Sequence, residues 1–490
     1  MNPSLALFAF IIGIAGLFWL DRDDLVRPSK ALWLPVVWLS ISGSRSLSVW
    51  LGMGAPQEVA GQLPQGSLLD QLIAASLMLV GAIVLIRRGK EVTRVLKASW
   101  PIVLYFSFAL VSLTWSDFPV WGLKRWIRAL GDLVMVLIVV TEAQPTTALR
   151  RLYSRIGFVL LPASVLLIRY YPQLGQGWDE YGYQAVVGVT TNKNALGNLA
   201  QLIGLGVLWQ LLSLVLDRDQ PHRARRLLAQ CTLLAFGIYL LSTAQCATAV
   251  ACFTLGAGLM LVISRPLFRR RPAAVHALVL AVLLVGGLTE LLGGRDVATR
   301  ALGRKPDLTG RTEIWRILIP MAPNPIGGAG FETFWAGPRV AEVFTKVGGP
   351  QMTNESHNGY IEVYLNLGCL GVGLIVVILV HGYRRAVRVF RRDSALGALL
   401  LACVVVTAAF NITEAGFRML SQGWFFLLLS IVAANRVITL GDTAPEPARV
   451  FSDRVGRRAE TVLSRNAVIN SSGRREPRAA RILVDSKKGR

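Results

Sequence analysis

One histidine of this chain stands where acid–base chemistry could be done. It lies in Asn354-Glu-Ser-His357-Asn-Gly-Tyr-Ile-Glu362-Val-Tyr364-Leu-Asn366-Leu-Gly368, where a polar stretch runs into an apolar one. Asn354 and Ser356 are N-cap types, which puts His357 in or beside the first turn of a helix. The partial positive charge of a helix N-terminus disfavours imidazolium, so the ring there is poised to accept a proton. Asn358, Glu362 and Asn366 follow at four-residue spacing and form a polar stripe on one helix face. Read alone, the pattern fits an interfacial helix cap as well as a base.

The partners that could decide between these are cations. In Trp115-Ser-Asp-Phe-Pro119-Val-Trp-Gly-Leu-Lys124-Arg125-Trp-Ile-Arg128, Lys124 and Arg128 share a helix face and Arg125 is adjacent. Arg169 opens one polar segment, Lys193 closes it, and Arg311 opens the helix expected within a second. Ionisable groups at membrane depth are costly and mark function by default. Converging cations imply an anion, and guanidinium groups grip a phosphate or diphosphate bidentately. The plainer reading of any one of them is a side chain snorkelling to the interface.

The elements that must carry these residues are membrane helices. The 490 residues are 53% hydrophobic and 17% charged, with mean hydropathy +0.50. Apolar runs near the bilayer-spanning length of ~20 residues recur throughout. They fall near 4–20, 31–53, 69–86, 98–115, 122–141, 153–168, 195–216, 227–243, 246–264, 274–292, 360–381, 396–412 and 421–438. The fold class is therefore all-α and polytopic, with roughly 12–13 transmembrane helices in a single domain over 1–440. The net charge of +23 does not point to nucleic acid, because its basic residues cluster between apolar runs as cytoplasmic loops do. Arg87/Arg88, Arg150/Arg151/Arg155, Arg223/Arg225/Arg226, Arg269–Arg271 and Arg384/Arg385/Arg388/Arg391/Arg392 alternate with the spans, as one orientation requires. That orientation leaves external loops at 169–194 and 293–358 and puts the C-terminus inside. The first run lacks a basic n-region and reads as a retained helix. Residues 441–490 read as a disordered basic cytoplasmic tail.

Several chemistries are disfavoured. The glycine-rich Asn324-Pro-Ile-Gly327-Gly328-Ala-Gly330 lacks the Gly-Lys-Ser/Thr ending of a P-loop and reads as a tight turn. No serine nucleophile elbow occurs. The external loops hold no DxD and no histidine–carboxylate set at ligand spacing, so neither a metal nor another cofactor is expected. Cys231, Cys246, Cys252, Cys369 and Cys403 all lie in or beside apolar runs and suggest neither zinc nor disulfides.

Three ordered pieces then carry a resemblance: Gly310-Arg311-Thr-Glu-Ile-Trp315, Asn324-Pro-Ile-Gly-Gly328-Ala-Gly-Phe331 and Ser356-His357-Asn358-Gly-Tyr360. The chain resembles the O-antigen ligase/polymerase superfamily over roughly 30–440. Arg169-Tyr-Tyr-Pro172, Gly188-Val-Thr-Thr-Asn192-Lys193-Asn194, Trp115-Ser116 and Lys124-Arg125 are most similar to its exopolysaccharide-polymerase branch. Near Leu241–Ala249 many members carry an arginine or lysine and this chain has none. The resemblance implies a GT-C-like glycosyltransferase of the bacterial inner membrane with its site on the periplasmic side, metal-independent and inverting. The implied donor is an undecaprenyl-diphosphate-linked oligosaccharide, and the acceptor is a glycan. His357 would be the base and Arg311 the principal cation. Arg169, Lys193, Lys124, Arg125, Arg128, Asn358 and Glu362 would bind substrate, and Trp178, Trp315 and Trp335 are candidate sugar platforms. Membrane lipids and polysaccharide-assembly proteins are the implied partners. A ligase to a lipid core or protein, and a carrier that moves a lipid-linked saccharide without reacting it, are the rival readings.

Overall fold

The computed structural model describes residues 2–22, 28–53, 67–178, 182–217, 220, 222–265, 268, 273–281, 308–347 and 355–443. The tail beyond 443, Asn354, and most of the expected span 274–292 lie outside the described residues. The helices are α1 (Pro3–Leu20), α2 (Trp33–Ser42), α3 (Leu68–Arg87), α4 (Gly89–Ala98), α5 (Trp100–Val111), α6 (Pro119–Val140), α7 (Pro145–Tyr170) and α8 (Lys193–Leu216). They continue as α9 (Arg223–Thr243), α10 (Ala247–Ile263), α11 (Leu308–Leu318), α12 (Pro338–Val347), α13 (Gly359–Arg392), α14 (Ser394–Phe410) and α15 (Gln422–Thr443). Strands β1 (Gln176–Trp178) and β2 (Gln184–Val186) form a short antiparallel hairpin that pairs Gly177 with Ala185. The chain is an all-α polytopic membrane protein: seven of the described helices are long and apolar enough to cross a bilayer, or eight with the bent pair α4–α5.

Contacts sort the helix ends into two sets. At one end Arg88 bonds Glu142 at 2.5 Å, Arg151 bonds Asp21 at 3.0 Å, and Arg225 donates to the carbonyl of Trp19. At the other, Asn194 donates to Glu414 at 3.2 Å and Arg311 reaches Glu414 at 3.4 Å. Arginines of three of the basic loops, Arg88, Arg151 and Arg225, thus lie at one end and Arg311 and Asn194 at the other, which agrees with the alternating charge pattern.

The second expected span, 31–53, is broken. Its helix α2 stops at Gly43, and Arg45 turns outward to donate to the carbonyls of Thr190 at 3.1 Å and Leu174 at 2.5 Å. The cause is local: Ser42, Ser44, Arg45 and Ser46 have no apolar face to bury, and the guanidinium instead satisfies orphan carbonyls of the 169–194 loop. Even so, the stretch from Ser29 to Arg45 has contacts at both ends of the molecule, since Ser29 donates to Glu142 at 3.0 Å.

Helices α7, α8, α14 and α15 are the most enclosed, and α8 packs on α9, α10 and α14. Helix α13 packs on α14 and α5. It is interrupted at Gly368, where φ is +63°. There Ala329 N–H donates to Leu365 O at 3.0 Å and Gly330 N–H to Asn366 O at 2.8 Å, while Cys369 N–H returns to Pro325 O at 2.8 Å. Ala329 and Gly330 thus spend their amides on the helix break, and Ile326, Gly327 and Gly328 spend theirs on Asn324. The glycine-rich segment is a turn, not a phosphate nest. Ile314, Leu318, Phe334, Trp335, Val340, Val343 and Leu365 close a second small core, so 308–347 folds onto the first turns of α13.

Candidate active site

The site is built where four non-consecutive segments meet at the N-terminus of α13. The cap of that helix is Asn358, whose Oδ1 accepts from the N–H groups of Tyr360 at 3.0 Å and Ile361 at 3.1 Å. Its amide donates to Ile412 O at 2.9 Å. Asn358 is thereby committed to structure at both ends of its side chain, and His357 sits one residue before the cap. His357 adopts a left-handed backbone, φ +50°, uncommon for a residue with a Cβ. It is 7% exposed.

Two carboxylates flank the ring. His357 Nδ1 lies 3.1 Å from Glu355 Oε1 and 4.0 Å from Glu414 Oε2. Arg311 stands on the far side of Glu414, with Nη1 donating to Thr413 O and Nη2 3.4 Å from Glu414 Oε1. On the far side of Glu355 is Arg418, 3.6 Å from its Oε2. Loss of solvent works to raise the Glu355 pKa, but the His357 hydrogen bond and charge, then Arg418 and Arg311, outweigh it and hold the carboxyl below its ordinary value. Glu355 therefore stays ionised at neutral pH. The stability its pairs contribute is present above the ordinary value of 4.5 and is lost as pH falls through the lowered one.

Arg418 joins three glutamates. Besides Glu355 it approaches Glu332 Oε2 at 3.8 Å and Glu362 Oε1 at 3.9 Å. Burial opposes its charge, yet Glu362, Glu332 and Glu355 together raise its pKa above the ordinary arginine value. Glu362 is 2% exposed and also accepts from Trp335 Nε1 at 2.6 Å and Ser356 N–H at 3.0 Å. It thus fixes the backbone that leads into His357 and does not touch the ring. Trp335, itself 1% exposed, is a wall of this arrangement and presents no face to a sugar. Trp315 donates to Ser356 O at 2.8 Å, a second restraint on the same turn. Trp178, at the hairpin tip, is 77% exposed.

Of the expected cations, Arg311 belongs directly to the cluster. Lys193 opens α8 beside Asn194, and its charge and that of Arg311 both reach Cys246. Arg125 donates to the backbone carbonyl of Glu332. With Lys124 and Arg128 it lines a cavity of about 200 Å³ walled by Ala74, Ala75 and Met78 of α3. Met419, next to Arg418 in the chain, also lines this cavity. Arg169 lies over the ring of Tyr239 at 5.7 Å, and among the described residues no hydrogen bond or ion pair ties it to the cluster.

Glu332, Glu355, Glu414 and Arg418 are not among the site residues expected from the sequence. Glu414 and Arg418 were the findable ones: two charges in the short link between the last two apolar runs, where charge is costly. The sequence also shows no histidine–carboxylate set, since Glu414 is 57 positions beyond His357 in the chain. The fold makes one: donor atoms of Glu355, His357 and Glu414 lie within 4.8 Å of one another. Such a set could hold a divalent ion, but Arg311 and Arg418 already neutralise its two carboxylates.

Residues 231–376, which include Arg311 and His357, match the family model described as O-antigen ligase. That segment is similar to the O-antigen ligase family. It is also 28% identical over 295 residues to the exopolysaccharide production protein ExoQ of Rhizobium meliloti (strain 1021), an alignment covering 58% of this chain and 64% of that protein. The chain thus matches less than two thirds of that relative's length. It is a multi-pass membrane protein with a segment similar to O-antigen ligases and a wider similarity to an exopolysaccharide production protein.

Proposed function

We propose that this protein is a metal-independent, inverting glycosyltransferase that polymerises or transfers oligosaccharide units carried on undecaprenyl diphosphate at the periplasmic face of the inner membrane. The observation that carries this reading is the His357 cluster. A nearly enclosed imidazole is held through Nδ1 by an ionised carboxylate, which leaves Nε2 as the proton acceptor. The acceptor hydroxyl attacks the anomeric carbon as the bond from that carbon to the diphosphate oxygen breaks. The hydroxyl proton passes to His357, and the bonding pair leaves with the diphosphate. Arg311 has committed Nη1 to Thr413 O and Nη2 to Glu414, and its remaining N–H donors are available to the leaving group. General-base catalysis is worth ~10²–10⁴-fold, and charge stabilisation of the leaving group is usually the larger effect. The cavity beside Lys124, Arg125 and Arg128 offers cations over an apolar wall, which suits a diphosphate joined to an isoprenoid chain.

The test is turnover of a synthetic polyprenyl-diphosphate oligosaccharide by purified variants. His357→Asn keeps a hydrogen-bonding side chain and lacks a base, so it should bind donor and show no turnover. Substantial turnover by His357→Asn would return the residue to a purely structural role. The match to a family described as ligase favours a second reading, attachment of a finished glycan to a lipid or protein acceptor. Surface polysaccharide after gene deletion separates the two: absence of long polymer supports polymerisation, and unattached polymer supports ligation.

A further inference from the structure

At the end of the molecule remote from His357, the break between α4 and α5 is a sharp corner. The two helices meet at 87°. Helix α4 is amphipathic: Val95 is buried and Val92 and Leu96 pack on the core, while Lys90, Arg94 and Lys97 are exposed. A short helix with an apolar underside and a basic upper face, turned at right angles to the helix it feeds, has the geometry of one lying in the bilayer interface. Its end marks the depth of that interface, and the next residue is Trp100, 52% exposed and of a type that anchors at headgroup level.

Trp100 lines a cavity of about 400 Å³ against the last turns of α13. The cavity is graded. Val376, Val377 and Val380, all substantially exposed, face it on the side toward the membrane centre, and Arg384 and Arg388 face it at the level of the corner. Arg384 and Arg388 are four apart on one helix face and exposed. The floor between the two zones is fixed: His381 Nε2 lies 3.2 Å from Asn435 Oδ1, and its ring meets Trp100 edge-on at 6.4 Å.

We propose that this cavity is a binding site for an anionic phospholipid, with the phosphate between Arg384 and Arg388, the glycerol edge against Trp100 and the acyl chains along the valines. Arg384 and Arg388, with Arg385 also in the lining, supply the charge, the tryptophan supplies the amphipathic edge, and the apolar side opens where acyl chains lie. A soluble anion would have no use for the exposed valines, and an apolar protein partner none for the arginines. The chain's own segment after Thr443 has the wrong sign, being rich in arginine.

The experiment uses the full-length protein, purified in mild detergent, stripped of lipid and titrated with cardiolipin, phosphatidylglycerol or phosphatidylcholine, with bound lipid counted by native mass spectrometry. Cardiolipin and phosphatidylglycerol should be retained and phosphatidylcholine lost. The double variant Arg384→Gln/Arg388→Gln should weaken retention of both anionic lipids roughly tenfold or more, at about a factor of five per arginine near a membrane surface. Arg94→Gln, at the same end but outside the cavity, should leave retention unchanged. Equal retention of phosphatidylcholine, or an equal loss in Arg94→Gln, would overturn the site in favour of diffuse surface charge. If the double variant elutes as aggregate, Arg388→Gln alone gives the same comparison, with a loss of a few fold expected and no loss contradicting the site.

Discussion

The side chain that most constrains the His357 site is a glutamate beside the histidine. Glu355 lies 3.1 Å from His357 Nδ1 and is itself 3.6 Å from Arg418, so the ring sits against a carboxylate positioned by a guanidinium. Glu355→Gln preserves shape and removes charge. It should lower kcat by ~10²-fold, the scale of a general-base contribution, with KM for the lipid-linked donor little changed. Glu355→Asp should recover part of that loss because the charge survives. A rise in KM with kcat intact would show that Glu355 serves substrate binding instead. His357 and Arg311 were legible in the sequence because each lies in a short motif with its own local pattern. For Glu414 and Arg418 the charge itself was visible in the short link between two apolar runs, but their partners were not, because those contacts span 50 or more positions and periodicity reports nothing about them.

At the scale of elements, the apolar runs placed the helices well because burial in a membrane imposes its length on the sequence. Two features escaped that logic. One was the early stop of α2, set by a polar cluster and by Arg45 reaching for the neighbouring loop. The other was the interruption of α13 at Gly368, inside a continuous apolar run. That interruption is a fit between two glycines: a Cβ on Gly328 would stand 2.3 Å from the carbonyl carbon of Asn366, and one on Gly368 2.2 Å from that of Ile326. Gly328 also has φ +69°. Gly328→Ala should therefore cost at least ~1–3 kcal/mol and lower the Tm, with activity lost although no catalytic group is touched. Gly373→Ala in the same helix α13 meets nothing within 4 Å and should leave both unchanged. Equal Tm for the two variants would remove the interlock as a structural requirement.

For the whole molecule, the structure separates an arginine-rich end from the end that holds His357, and the proposed chemistry requires the latter to face the periplasm. Exposed reporters exist at both. In a cysteine-free background, Trp178→Cys and Lys124→Cys should react with an impermeant thiol reagent on intact cells, and Arg384→Cys only after permeabilisation. The reverse pattern would place the cluster in the cytoplasm and end the mechanism proposed for it. The three glutamates around Arg418 also bear on the order in which the chain is made. Glu332, Glu355 and Glu362 leave the ribosome before Arg418, which stands just ahead of the last helix. A chain halted short of that point holds two nearly solvent-free carboxylates and a third partly enclosed one without the shared cation, an arrangement too costly to keep closed. An incomplete chain should therefore leave this face open and the turn that holds His357 unrestrained: the contact that draws the three glutamates together is also the one that waits for the end of synthesis.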